Sequence, residues 1–207
     1  STLLASSAAS DVYKRQEELT GLAEAFGGIP STYGTYYIFG NHDSFRNGLW
    51  RGVAFGKDDV ERTFARYGIT VLEDETVALG DELCLIGRAD IAFNRDSDRQ
   101  SLEELLAETD PDRVRVVLDH QPLELERAAA MGVELLLSGH THGGQIWPGG
   151  LISEWTGAYE LDYGEQQVGE MRAIVSSGLG GWSCRFRTGS HSEIVYITLE
   201  PAANGGI

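Results

Sequence analysis

Long apolar runs, cysteines and basic residues are all scarce in this chain of 207 residues. No apolar run approaches the roughly 20 residues that span a bilayer, and no signal-peptide pattern is visible at the N-terminus. The two cysteines, Cys84 and Cys184, are far apart and lie outside any C-x-x-C pattern. The sequence therefore suggests neither a disulfide framework nor a structural zinc knuckle, and it fits a reducing compartment. Lys and Arg number 16 against 32 Asp and Glu. This excess of negative charge repels phosphate backbones, so no nucleic-acid partner is expected.

The length and the hydrophobic content of 42% suit one α/β domain with a substantial core. Residues 1–16, which are rich in Ser and Ala, precede the first helical pattern, and we expect them to be non-native or disordered. The domain is expected over residues 17–200, with a C-terminal tail over 201–207. We expect this domain to be incomplete at its N-terminal side.

Helical and strand patterns alternate from Glu17 onward. Apolar spacing predicts helices over 17–26, 58–67, 101–108 and 123–131, and the third has a capping-box pattern in Ser101 and Glu104. The runs "TYYIF", "ELCLIG", "VRVVL", "ELLLS", "AIVSS" and "EIVYITL" predict strands. Most of these are nearly continuous in apolar residues, which is typical of parallel strands covered on both faces. Residues 143–150 and 178–189 are predicted to be irregular.

Four of the five histidines follow predicted strands directly, in "YYIFGNHD", "VVLDHQP" and "LLLSGHTH". Ligands gather at the carboxyl ends of strands in open α/β sheets, and imidazole commonly binds Zn, Mn and Fe. His140 and His142 are spaced i and i+2, so they point to the same side of the sheet if the strand geometry continues through them. The pattern predicts that the residues following these strands converge at one edge of the sheet and form a metal site there.

The motifs "GNHD" at 40–43, the lone His120 after a strand, and "GHTH" at 139–142 resemble the calcineurin-like metallophosphoesterases. The longer segments "GHTHGGQIWP" and "GLGGWSCRFRTGSHSEIVYITL" resemble a bacterial subgroup of small phosphodiesterases and phosphohydrolases. The resemblance covers residues 17–199 and implies an α/β fold, with a metallophosphoesterase-type β-sandwich flanked by helices and with the N-terminal strands missing.

The resemblance also implies a role for each matching residue. Asn41, His120 and His140 would bind one divalent metal ion, and His142 would bind a second, with Mn, Fe or Zn as the metals. His42 would not bind metal but would face the leaving-group oxygen as a general acid, and Asp43 would hold its tautomer and raise its basicity.

The first motif of the family has no counterpart in the sequence, and the second has no clear match before "GNHD". The family begins with a D-x-H motif followed by a G-D motif, whose Asp bridges both metals, and no D-x-H occurs in this chain. Asp11 lies at about the distance from "GNHD" where the bridging Asp would fall, but its context lacks the expected Gly, and we expect it to be a coincidence. The sequence therefore predicts that the chain lacks part of one metal site.

Several other residues near these motifs are weaker candidates. Asp119 either orients His120 or is exposed to solvent at the strand end. Asp90 is an acidic residue in a loop close to the predicted site, and His191 is predicted to be a loop residue with no ligand role. Trp147, Trp155 and Trp182 either line a substrate pocket or pack against other parts of the protein. Arg185 and Arg187 either contact phosphate or are exposed to solvent.

Three classes of function fit these observations. The first is a metallophosphoesterase that hydrolyses a phosphomonoester, a phosphodiester or a nucleotide-linked pyrophosphate, impaired in the chain as it stands. The second is a non-catalytic metal-binding or regulatory module of the same fold, and the third is a metal-free interaction domain. The expected partner is a small-molecule or lipid-linked phosphoester. The expected location is cytoplasmic, or membrane-associated if a preceding segment carries an anchor.

Overall fold

The computed structural model describes residues 2–5, 16–41, 56–91, 99–157, 159–181 and 186–200. The helices are α1 (Gln16–Gly27), α2 (Lys57–Arg66), α3 (Leu102–Ala107), α4 (Leu125–Ala130) and α5 (Gly149–Thr156). The strands are β1 (Thr2–Ala5), β2 (Thr35–Ile38), β3 (Ile69–Leu72), β4 (Glu75–Leu79), β5 (Leu83–Gly87), β6 (Val114–Leu118), β7 (Leu135–Ser138), β8 (Gly164–Val168), β9 (Met171–Val175) and β10 (Val195–Thr198).

A six-stranded sheet in the order β4-β5-β6-β7-β9-β8 forms the centre of the fold. Its four inner strands are parallel to one another, and the two edge strands, β4 and β8, are antiparallel to their neighbours. Every residue of β5 and of β7 is buried. This burial on both faces explains why the sequence of the inner strands is nearly continuous in apolar residues.

The two faces of this sheet are covered by different layers. Alternate side chains of β5 point to opposite faces of the sheet. Cys84 and Ile86 pack with α3 and α4 on one face, and Leu83 and Leu85 pack with residues of β3 and β10 on the other. The strand pairs β2-β3 and β1-β10 belong to this second side. Helices α1 and α2 pack on β3 from outside, in a cluster around Phe64. The predicted β-sandwich flanked by helices is therefore confirmed.

Local patterns predicted most elements to within a few residues. The capping box of α3 is present, with the Ser101 hydroxyl accepting from the Glu104 amide and the Glu104 carboxylate accepting from the Ser101 amide. The prediction of an irregular segment over 143–150 was wrong at its end, because α5 begins at Gly149. Residues 2–5 form β1, which pairs antiparallel with β10, and the domain boundaries set out above stay a prediction.

Two further findings concern the cysteines and the helices. Cys84 is buried and free, and burial raises the pKa of its thiol, so this side chain behaves as a small apolar residue. Cys184 lies outside the described residues. Within the ranges that the structure describes, no helix combines the length and the apolarity needed to cross a membrane.

Candidate metal centre

Three loops bring Asn41, His120 and His140 together. Asn41 follows β2, His120 follows β6 and His140 follows β7, and the Gly139 amide donates to the His120 carbonyl (3.1 Å), which ties the last two loops together. Strand β2 belongs to the β2-β3 pair and not to the six-stranded sheet. The expectation that all these residues meet at the edge of one sheet was therefore wrong in this respect, because Asn41 enters from the second layer of the sandwich.

The polar atoms of these three side chains form a compact triangle. His120 Nε2 lies 3.0 Å from Asn41 Oδ1, His140 Nδ1 lies 3.1 Å from the same oxygen, and the two ring nitrogens are 3.2 Å apart. The imidazole rings meet edge to face at 78°. Asn41 and His120 are buried and His140 is half-buried, so of these three side chains His140 is the one most open to solvent.

Gly40 makes room for the ring of His120. A Cβ atom at position 40 would lie 2.6 Å from Cε1, 2.7 Å from Nε2 and 2.9 Å from Nδ1 of His120. These distances are shorter than any normal van der Waals contact. The glycine of the "GNHD" motif is therefore required by the close approach of the imidazole.

His140 and His142 both have backbone conformations that are rare for residues with a side chain. Their φ angles are 67° and 54°, in the left-handed region, which costs about 1 kcal/mol or more for each residue. Strand β7 ends at Ser138. The strand-based argument for a common orientation of the two histidines therefore does not apply, and the turn itself determines where each ring lies.

Hydrogen bonds from distant residues hold this turn in place. The Thr141 hydroxyl donates to the Asp162 carbonyl (2.6 Å), and the His142 carbonyl accepts from the Ser190 hydroxyl (2.7 Å) and from Arg187 Nη1 (3.1 Å). Arg187 also donates to the carbonyls of Ser177 (2.8 Å), Gly178 (3.2 Å) and Gly180. The guanidinium group thus links the histidine turn to the segment after β9, and the buried His142 is positioned by these contacts.

Tyr159 contacts the outer nitrogen of His140. Its hydroxyl oxygen lies 2.6 Å from His140 Nε2, and the two rings meet edge to face with centroids 5.2 Å apart. Burial raises the pKa of Tyr159, and the charges of Asp162 and Asp90 add to this effect. The phenol therefore keeps its proton at neutral pH.

A buried network of charged side chains lies next to His120. Asp119 accepts from Arg88 Nη1 (2.9 Å) and from Arg99 Nη1 (3.3 Å), and both arginines also contact Glu124. Burial raises the pKa of the Asp119 carboxyl, and the two guanidinium charges oppose that effect. The sequence alone suggested that Asp119 orients His120, whereas in the structure its carboxylate pairs with the two arginines.

The other candidate residues have varied positions. Asp90 is buried and accepts from Gln121 Nε2 (2.9 Å), beside His120 in the chain. His191 is exposed, as expected of a loop residue. The candidates that lie outside the described residues are Asp11, His42, Asp43, Trp182 and Arg185.

Sequence reasoning missed Gly40, Tyr159, Arg88 and Arg99. Gly40 stands in the recognised motif, and its position between a strand and a metal-ligand candidate was a usable signal. Tyr159 is 19 residues from His140, and Arg88 is 31 residues from Asp119, so no local pattern identified these partners.

In the part of the chain that is described, no three His, Cys, Asp or Glu side chains form a group that could hold a metal ion. The triangle instead combines two imidazoles with an amide.

Comparison with known proteins identifies the family. The model of the calcineurin-like phosphoesterase family matches residues 11–144, a range that includes Asn41, His120, His140 and His142. An uncharacterized metallophosphoesterase of Helicobacter pylori strain J99 is 31% identical over 175 residues, which cover 84% of this chain and 44% of that protein.

Two other relatives show how much of the longer proteins this chain represents. A bovine (Bos taurus) transmembrane protein with metallophosphoesterase domain is 32% identical, over 85% of this chain and 41% of that protein. An uncharacterized metallophosphoesterase of Aquifex aeolicus is 28% identical, over 91% of this chain and 69% of that protein. The chain thus spans less than half of the Helicobacter and bovine relatives. Because the family model matches most of the length of this chain, the chain belongs to the calcineurin-like phosphoesterase family.

Proposed function

We propose that this domain belongs to an enzyme that hydrolyses a phosphoester at a dinuclear metal site. Asn41, His120 and His140 bind one metal ion in this proposal, and His142 contributes to the second. The observation that carries the proposal is the triangle of Asn41 Oδ1, His120 Nε2 and His140 Nδ1, with edges of 3.0 to 3.2 Å.

The size of the triangle fits a shared metal ion. Ligand atoms about 2.1 Å from one metal are about 3.0 Å apart when they subtend a right angle and about 3.4 Å apart in a tetrahedron. All three observed edges lie within this interval. The donor set of two imidazoles and one amide oxygen suits Mn, Fe or Zn, which supports the choice of metals made from the sequence.

The metals and the protein have separate tasks in this chemistry. Two divalent ions held by these residues would polarise the phosphoryl group, lower the pKa of a bound water molecule and neutralise charge on the displaced oxygens. The chain holds the ligands in a buried, fixed arrangement. His42 donates a proton to the leaving oxygen, and Asp43 orients it. The cations also allow a protein with a net charge of −16 to bind an anionic substrate.

The surface beside the centre favours the lipid-linked member of the expected substrate class. Trp147 and Trp155 are 68% and 88% exposed, and Leu151 and Ile152 are more than half exposed, so none of the four packs in the core. Helix α5, which carries three of them, is joined to the histidine turn through Asp162. This residue accepts from Ser153 of α5 (2.6 Å) and from Thr141 (2.6 Å). An acyl chain attached to the phosphoester would cover this apolar surface while its phosphate reached the centre.

The second candidate is a non-catalytic metal-binding or regulatory module. The observation that supports it is that the triangle of Asn41, His120 and His140 is formed by residues of this chain alone, so metal binding there does not by itself require catalysis. On either proposal the chain as printed is expected to bind metal at the triangle. The two proposals differ in whether a chain extended by D-x-H and G-D segments turns over substrate.

The test is hydrolysis by such an extended chain in the presence of Mn²⁺. We expect it to cleave an aryl phosphodiester, an alkyl phosphodiester and a long-acyl glycerophosphodiester, the last more efficiently than its short-chain analogue. The chain as printed is expected to show little or no turnover. No hydrolysis of any of these substrates by a metal-loaded extended chain would favour the regulatory module.

The same assay checks the role of His42. Replacing His42 with Asn in the extended chain is expected to slow hydrolysis of the alkyl diester by about 10²–10⁴-fold, the usual contribution of a general acid. The loss is expected to be smaller with the nitrophenyl ester, whose leaving group scarcely needs a proton. Metal content, measured by elemental analysis, should not change. A loss of metal in this variant would make His42 a ligand instead.

Replacing Gly40 with Ala is expected to weaken metal binding. The new methyl group would meet the His120 ring at 2.6 to 2.9 Å, so the imidazole must move and the triangle must open. We expect the affinity for Mn²⁺ or Zn²⁺, measured by calorimetry, to fall by at least about tenfold, since displaced ligand geometry has effects of about 10–100-fold. Gly21→Ala is the matched control, because a Cβ there meets nothing within 4 Å. Equal affinity in the two variants would contradict the packing argument.

A further inference from the structure

We propose that Tyr159 is a positioning residue that sets the tautomer and the orientation of His140, so that Nδ1 is available to a metal ion. The inference rests on the proposed metal-binding role of His140. It concerns a residue that lies outside the range matched by the family model, which ends at residue 144.

The geometry assigns a different function to each nitrogen of the His140 ring. Nδ1 faces Asn41 Oδ1 at 3.1 Å and His120 Nε2 at 3.2 Å. Nε2 faces the Tyr159 hydroxyl oxygen at 2.6 Å. The ring therefore connects the triangle on one side with a phenol on the other.

A neutral imidazole carries one N–H, and its position decides whether the ring can bind metal. Binding through Nδ1 requires the lone pair on Nδ1 and therefore the hydrogen on Nε2. Tyr159 Oη can accept that hydrogen while its own hydrogen points elsewhere. An outer partner of this kind fixes the tautomer of a metal-binding histidine and raises its basicity.

The segment that follows Tyr159 is anchored at two points. Next to it, the Glu160 carboxylate accepts from the amides of Glu124 (2.7 Å) and Leu125 (3.0 Å) at the start of α4. Three residues further on from Tyr159, the Asp162 carbonyl accepts from Thr141. Tyr159 is thus tied through Glu160 to α4 and through Asp162 to the histidine turn, and its hydroxyl is directed at Nε2 of His140.

The test compares Tyr159→Phe with the unaltered chain, using Mn²⁺ or Zn²⁺ alone as the probe. We expect the variant to bind either ion about 10–100-fold more weakly, the usual effect of removing such a partner. Nitrogen NMR of the zinc-bound chain should show a slowly exchanging Nε2–H on His140, and this signal should be lost in the variant. The melting temperatures of the two metal-free chains, measured in chelator, should agree, which separates positioning from a general loss of structure.

Tyr163→Phe is the matched control. Tyr163 donates its hydroxyl to Glu193 (2.8 Å) on an exposed part of the surface, and its variant should bind metal as the unaltered chain does. Equal metal affinity and an unchanged His140 signal in Tyr159→Phe would overturn the inference alone. Failure of the unaltered chain to bind either ion would overturn the proposed function together with the inference, so the two failures are distinguishable.

Discussion

Replacement of His140 with Ala is expected to abolish metal retention by this chain, and to abolish turnover in any extended form that is active. His140 Nδ1 supplies two of the three edges of the triangle. Its removal leaves one imidazole and one amide oxygen, which are too few donor atoms to hold the ion. We expect the affinity for Zn²⁺, measured by calorimetry, to fall by more than about 100-fold, which exceeds the effect of losing an outer partner.

His191→Ala is the control for this experiment. His191 is an exposed residue whose backbone carbonyl, and not its ring, accepts from the Ser177 hydroxyl (2.5 Å). Its loss removes one imidazole from the surface without touching the triangle, so metal affinity should not change. If both variants bound Zn²⁺ with the affinity of the unaltered chain, the triangle would not be a metal site.

Replacement of Asp119 with Ala is expected to cause a large loss of stability. The side chains of Arg88 and Arg99 are only 4% and 6% exposed, and Asp119 is 1% exposed. Without the carboxylate, two guanidinium groups stay buried, and Glu124 is their remaining acidic partner among the residues that the structure describes. Breaking a buried ion pair by removing one partner costs about 3–5 kcal/mol, which is a large part of the total of about 5–15 kcal/mol that stabilises a typical domain.

Urea denaturation of Asp119→Ala, and of the milder Asp119→Asn, measures this loss. The Asn variant keeps an acceptor for one arginine, so its midpoint should lie between those of the Ala variant and the unaltered chain. The control is Glu103→Ala, which removes the carboxylate from the exposed pair with Arg127 and should leave the midpoint unchanged. Equal midpoints for Asp119→Ala and Glu103→Ala would show that the buried network does not contribute to stability.

Local sequence patterns predicted the elements and the family well, for reasons that act over a few residues. The spacing of apolar side chains specifies a helix face, and Ser101 with Glu104 forms the capping box that the pattern predicts. The buried strands β5 and β7 follow from continuous apolar runs. The motifs around Asn41, His120 and His140 resembled the family whose model matches the chain.

The weaker predictions failed where neighbours in space are distant in the chain. Residues 149–156, rich in small and apolar side chains, form α5 on the surface, with Trp155 exposed. Glycine-rich composition indicated an irregular segment, but the contact of Ser153 with Asp162 anchors this helix. The sheet to which β2 belongs also depends on its pairing with β3, across more than 30 residues.

The sequence by itself determined which residues offer donor atoms and that they follow strands, since residue type and local periodicity are properties of short segments. Only the tertiary structure decided that Asn41 reaches the centre from the second layer and that His140 and His142 adopt left-handed conformations. It also decided that Tyr159 contacts His140 and that Asp119 pairs with two arginines. The physical reason is that these contacts depend on the packing of distant segments, which offsets the backbone strain and the burial of charge that no short segment could stabilise alone.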